Sequence, residues 1–201
     1  MNEIEKLMDE NTSRKDDCQF CKEAKMAVGN RTQYESILVY KIGGLKDGWF
    51  VTLSPRTGGD PKEDFTLQLM PCSHLTHFSQ MNHELSKNYG IAFGKVCKAM
   101  AVIMTNNNPA LKATSETREN GIAIAVYGKC TTWEEKKEHL HIKLFQFRGN
   151  LGQPSTVDSS FGRKDIFNDN GKYVKMIPVK KQTIEKNMLE KISSELIRLL
   201  K

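Results

Sequence analysis

Residues 138–148, EHLHIKLFQFR, alternate with a period of two. His139, His141 and Lys143 fall two apart, and Leu140, Ile142 and Leu144 fill the places between them. Side chains along a strand point to opposite faces in turn. The pattern predicts a half-buried strand with two imidazoles and an ammonium on one face and aliphatic groups on the other. Taken alone, the polar face has two readings: the solvated outer side of an edge strand, or a surface that meets an anion or a metal.

The chain of 201 residues is 38% hydrophobic, enough for one domain with a core, or one domain with an appendage. Its formal net charge is +6 and its sequence pI is near 9.0, which suits either an anionic ligand such as a nucleotide or phosphate, or weak nonspecific nucleic-acid binding. No arginine-rich run or aromatic–basic alternation points to nucleic acid. No apolar run reaches the length a bilayer requires, so no membrane span is expected. The opening MNEIEKLMDENTSRKDD is charged and unlike a secretory signal. The five cysteines therefore read as thiols of a reducing, cytoplasmic protein.

The charged lead-in, with a short helix over residues 3–10, runs into Cys18-Gln-Phe-Cys21. Such a pair is a redox couple, half of a metal site, or coincidence. A polar lead-in replaces the strand that a redox motif needs, which favours metal. Strands follow at 36–40 and Trp49–Leu53, separated by Gly43-Gly44 and Gly48. Residues 54–64 read as a loop and 65–70 as a third strand. Pro71-Cys72-Ser73-His74 closes that strand. A helix is predicted over 84–104, with its helical pattern carried by Leu85, Ile91, Ala92, Val96, Ala99, Met100 and Ile103. GIAIAVY at 121–127 is another strand, ahead of the histidine strand. A Gly/Ser/Pro-rich connector at 149–163, a hairpin of 165–167 with 172–179, and a final helix over 183–200 complete the chain, with Thr183 as the expected N-cap. Arg163 and Lys164 in the connector read as a solvated loop pair by default, or as a phosphate contact. This order of elements is an α+β layout.

Cys18, Cys21, His74 and His139, if brought together, would form a tetrahedral set for structural Zn²⁺. Their spacing is far from that of a zinc finger. His77 and His83 read as helix-start and surface residues, and Cys72, Cys97 and Cys130 as plain core or surface cysteines. Trp49 and Phe50 read either as the lining of a base pocket or as strand packing.

Three segments, in order, resemble the histidine-triad (HIT) superfamily. Cys18-Gln-Phe-Cys21 is similar to the Cys-x-x-Cys of its zinc-containing branch. Pro71-Cys72-Ser73-His74 and the residues to Met81 are similar to the Pro-x-x-His segment that opens its long helix. His139-Leu140-His141-Ile142-Lys143 is similar to its His-x-His-x-His strand. The likeness spans residues 18–147. It implies that His74 and His139 join the two cysteines on structural zinc, and that His141 is the nucleophile toward an α-phosphate. Lys143 stands where the third triad histidine would be and is assigned to substrate phosphate. Tyr127-Gly128 and residues 129–138 replace the Asn-Gly and Gly-Gln of the family pattern.

The expectation is thus a HIT-like antiparallel sheet with a long packed helix (1–148), and a C-terminal hairpin and helix (149–201) packed on the same domain. The resemblance implies a nucleotide hydrolase or nucleotidyltransferase that works through a nucleotidyl-histidine. Dinucleoside polyphosphates or adenylylated or uridylylated small molecules are the implied substrates, and homodimerisation occurs in such relatives. The alternative is a catalytically inactive nucleotide-binding or partner-binding HIT-like protein, which the departures at Lys143 and 127–138 favour.

Overall fold

A strand with hydrogen-bonded neighbours on both sides is not an edge, and the histidine strand has two. The computed structural model describes residues 18–107, 121–127, 139–147, 161–168, 171–178 and 181–201. In chain order the elements are α1 (Gln19–Glu23), β1 (Ile37–Ile42), β2 (Trp49–Leu53), β3 (Arg56–Thr57), β4 (Thr66–Pro71), a 3₁₀ turn (Phe78–Gln80), α2 (His83–Asn107) and β5 (Gly121–Tyr127). They continue with β6 (His141–Phe147), β7 (Phe161–Asn168), β8 (Gly171–Pro178), β9 (Gln182–Thr183) and α3 (Lys186–Leu200). The main sheet has five strands in the order β1-β2-β4-β6-β5, and every pairing is antiparallel. The mixed α+β layout with a long helix is the one expected.

Alternation divides the sheet's residues between two cores. On one face Val51, Leu67, Leu69, Ile142 and Leu144 pack against Leu85, Val96, Met100 and Ile103 of α2 and Leu189, Ile192 and Leu196 of α3. Each such fully buried aliphatic side chain contributes about 1.5–3 kcal/mol. On the other face Leu38, Phe50, Met70 and Cys72 form a smaller cluster with Ala24, Phe20 and Met26. The segment around α1 therefore covers the face that carries His139, His141 and Lys143. Lys41 pins it there by donating from Nζ to the carbonyls of Ala24 (2.6 Å) and Met26 (3.2 Å).

The β1–β2 turn requires glycine. Gly43 has φ +71°, and a Cβ there would lie 2.8 Å from Asn88 Nδ2. Asn88 donates to the Asp47 carbonyl at 2.9 Å, which ties the turn to α2.

Three expectations are corrected. Residues 54–64 are not all loop: Arg56–Thr57 pair with Gln182–Thr183. For the same reason Thr183 is not a helix cap. The ladder holds its backbone, Ile184 N–H donates to the Pro55 carbonyl at 2.9 Å, and the helix starts at Lys186 with Glu185 as N-cap. The hairpin also begins earlier than 165, because Phe161–Arg163 pair with Met176–Pro178, so Arg163 and Lys164 belong to a strand. α3 packs against α2 and β1. The helix expected at 3–10, Cys130 and the replacement segment 128–138 lie outside the described residues.

Candidate metal centre and the adjoining histidine strand

Cys18 and Cys21 lie one helical turn apart, so their side chains leave α1 on one side. Cys18 is the N-cap, in extended backbone conformation, and Lys22 N–H donates to its carbonyl at 3.2 Å. His74 comes from the segment that leaves β4, and His139 from the residue pair that enters β6. Leu140 N–H donates to the Leu75 carbonyl at 2.6 Å, which ties those two segments together. Cys18, Cys21, His74 and His139 meet with their ligand atoms all within 4.8 Å of one another, and all four residues are buried. Cys18 Sγ is 3.4 Å from His139 Nδ1, and Cys21 Sγ is 3.5 Å from His74 Nδ1 and 3.8 Å from His139 Nδ1. The group can bind a metal ion.

Two features suit a cation. His139 Nε2 lies 3.0 Å from the Pro71 carbonyl. A carbonyl only accepts, so Nε2 carries the proton and Nδ1 turns its lone pair to the cysteines. The hydrogen bond from Cys21, helped by His139 and His74, holds the Cys18 thiol well below the ordinary thiol range, against burial, which raises it. Thiolate is the form that binds metal.

His141 follows on the same strand face. Its Nδ1 donates to the His139 carbonyl at 3.0 Å, which leaves Nε2 as the basic nitrogen. Burial holds its pKa below the ordinary histidine value. The charges of Lys143 and His139 act in the same direction, and the bond to the carbonyl opposes them. The Phe20 ring lies 5.5 Å from the His141 ring, and 5.5 Å from that of His139. Lys143 is only 8% exposed and stands opposite Gln68 of β4. The face is thus not the solvated side of an edge strand.

Beyond Phe20 this sheet face opens into a cleft of about 470 Å³, lined among others by Phe20, Glu23, Ser36, Arg56 and Gln68. Glu23 is 2% exposed. Burial pushes its carboxyl up to about 7, the Gln19 hydrogen bond opposes that, and the nearby Cys18 charge adds to it. The sequence singles out neither Glu23 nor Gln68. Only the register of Gln68 against Lys143, which needs the sheet, relates it to the site. His77 and His83 stand apart from it: His77 caps the 3₁₀ turn, accepting from Ser79 N–H, and His83 is the exposed first residue of α2.

No family model matches the chain, and neither does any curated protein or any solved structure.

Among the described residues no helix is long and apolar enough to cross a membrane.

Proposed function

We propose that the chain is a HIT-like nucleotide hydrolase or nucleotidyltransferase that acts at an α-phosphate through His141, with Zn²⁺ on Cys18, Cys21, His74 and His139. The observation that carries the reading is the setting of His141. Its Nδ1 donates to a carbonyl, burial lowers its pKa, and a buried lysine lies two residues away on the same face. A neutral imidazole with a directed Nε2 lone pair is the form a phosphorus-attacking histidine needs.

In the first step Nε2 forms a bond to the α-phosphorus and the bond from phosphorus to the leaving phosphate oxygen breaks. The leaving group departs with the electron pair and takes a proton from solvent. In the second step water, phosphate or another acceptor gives up a proton and forms a new P–O bond, and the N–P bond breaks. Lys143 offers a point charge to the phosphate oxygens, although it lacks the neutral donor geometry of His or Gln. The backbone hydrogen bond to His139 keeps the His141 ring in one orientation, which makes attack directional. A dinucleoside polyphosphate or another nucleotidylated small molecule suits this chemistry.

Zinc fits the donor set. Two thiolates and two imidazoles are a common tetrahedral zinc set, and the four ligand atoms already lie within 4.8 Å of one another. With four protein donors the ion would be structural, and it would hold the start of β6 in place.

The test is intact-protein mass spectrometry after mixing with nucleoside triphosphates, dinucleoside polyphosphates and nucleotide sugars, with free nucleotides followed in parallel. A nucleotidyl adduct, or released mononucleotide, is expected for the wild type and absent in His141→Ala. Binding without adduct or product would move the reading to a nucleotide-binding protein without turnover.

A further inference from the structure

Glu23 is a buried carboxylate in an unusual position. Its only hydrogen bond among the described residues is a long one from Gln19 Nε2, at 3.4 Å, and no cation pairs with it there. A carboxylate can accept about four hydrogen bonds and is costly to bury without them. Glu23 instead lines the cleft, as do Phe20 and Gln68. Gln68 makes no side-chain hydrogen bond among the described residues. It therefore faces the cleft with an uncommitted amide donor and acceptor, directly across from Lys143 on the neighbouring strand. The cleft thus adjoins the histidine strand at two points: through Phe20, which touches His141, and through Gln68, which pairs with Lys143.

We propose that this cleft is a guanine pocket, in which Glu23 accepts from the base's ring N–H and 2-amino group, Gln68 donates to its 6-carbonyl, and Phe20 packs on its face. The inference rests on the nucleotide reading given above and narrows it to guanine nucleotides. The match follows from the edges of the four bases. Guanine alone presents two adjacent donors beside a carbonyl. Adenine and cytosine offer the carboxylate one amino group next to a ring acceptor, which would face the carboxylate lone pairs. Uracil flanks its one N–H with two carbonyls. A site built around a buried acceptor rejects bases that leave it unpaired more strongly than an apolar slot does. Stacking on Phe20 adds affinity for any base and so does not select.

The discriminating pair of ligands is GMP and IMP, which differ only in the 2-amino group. Calorimetric titration of the zinc-loaded full chain should show GMP binding at least about tenfold more tightly than IMP, the value of one lost charge-assisted hydrogen bond. Glu23→Gln should shrink that ratio to about twofold or less with metal content unchanged. Gln68→Leu should weaken GMP and IMP together, because both carry the 6-carbonyl, and leave AMP unaffected. Should Glu23→Gln fail to fold, the wild-type GMP/IMP ratio and the Gln68→Leu series decide alone. Equal binding of GMP and IMP by the wild type, alongside a His141-dependent adduct, overturns the guanine pocket and leaves the transfer reading standing. Failure of every nucleotide to bind overturns both.

Discussion

At the scale of single residues, Glu23 also sets a pH dependence. Its carboxyl is raised from 4.5 to about 7 in the folded chain, chiefly by burial. A raised acid holds its proton longer in the folded state than in the unfolded one. Its burial therefore costs nothing below pH 4.5, and the cost grows as pH rises toward 7 and is complete above it. Glu23→Gln is expected to melt above the wild type at pH 8, with a smaller margin at pH 6; a margin that grows toward acid would contradict this. Nothing in Cys18–Lys25 marks Glu23 as buried. In a five-residue helix the covered side is decided by the sheet beneath it, and a charged residue there reads as solvated. The metal donors are more legible, because cysteine and histidine are scarce and chemically specific. Their meeting is not, since 53 residues separate Cys21 from His74 and 121 separate Cys18 from His139.

Among the elements, legibility follows the origin of each signal. β4 and β6 form where residue types alternate along the strand, so sequence and tertiary structure agree. β3 and β9 are two-residue strands that exist only because their partners are near, and no local pattern announces them. That is why Thr183 reads as a cap and serves as a strand residue. In α2 the glycines at 90 and 94 weaken an otherwise clear helical pattern. Both are solvent-exposed, and a Cβ at either would meet nothing within 4 Å. Gly90→Ala and Gly94→Ala are each expected to stabilise the chain by about 0.5–1 kcal/mol in denaturant titration, because the helix loses a backbone entropy cost and gains no clash. Destabilisation by either would show that this face of α2 is covered in solution.

For the molecule as a whole, a metal on the four clustered residues would staple three distant segments on one side of the sheet: α1, the exit from β4 and the entry to β6. Removing one donor should free all three. Cys18→Ser is expected to lose zinc by elemental analysis and to lower unfolding free energy by more than about 3 kcal/mol. If the metal-free variant melts with the wild type, the centre is not structural. The same geometry sets a schedule. Cys21 is made 118 residues before His139. At about 5–20 residues per second the two thiols wait some 6–24 s on the growing chain for their last ligand. Throughout synthesis they are an open half-site, exposed to oxidants and to whatever soft metal ion arrives first. A metal on all four donors would be closed off by protein, but its fidelity would be decided earlier, by what the unfinished chain meets while β6 is still unmade.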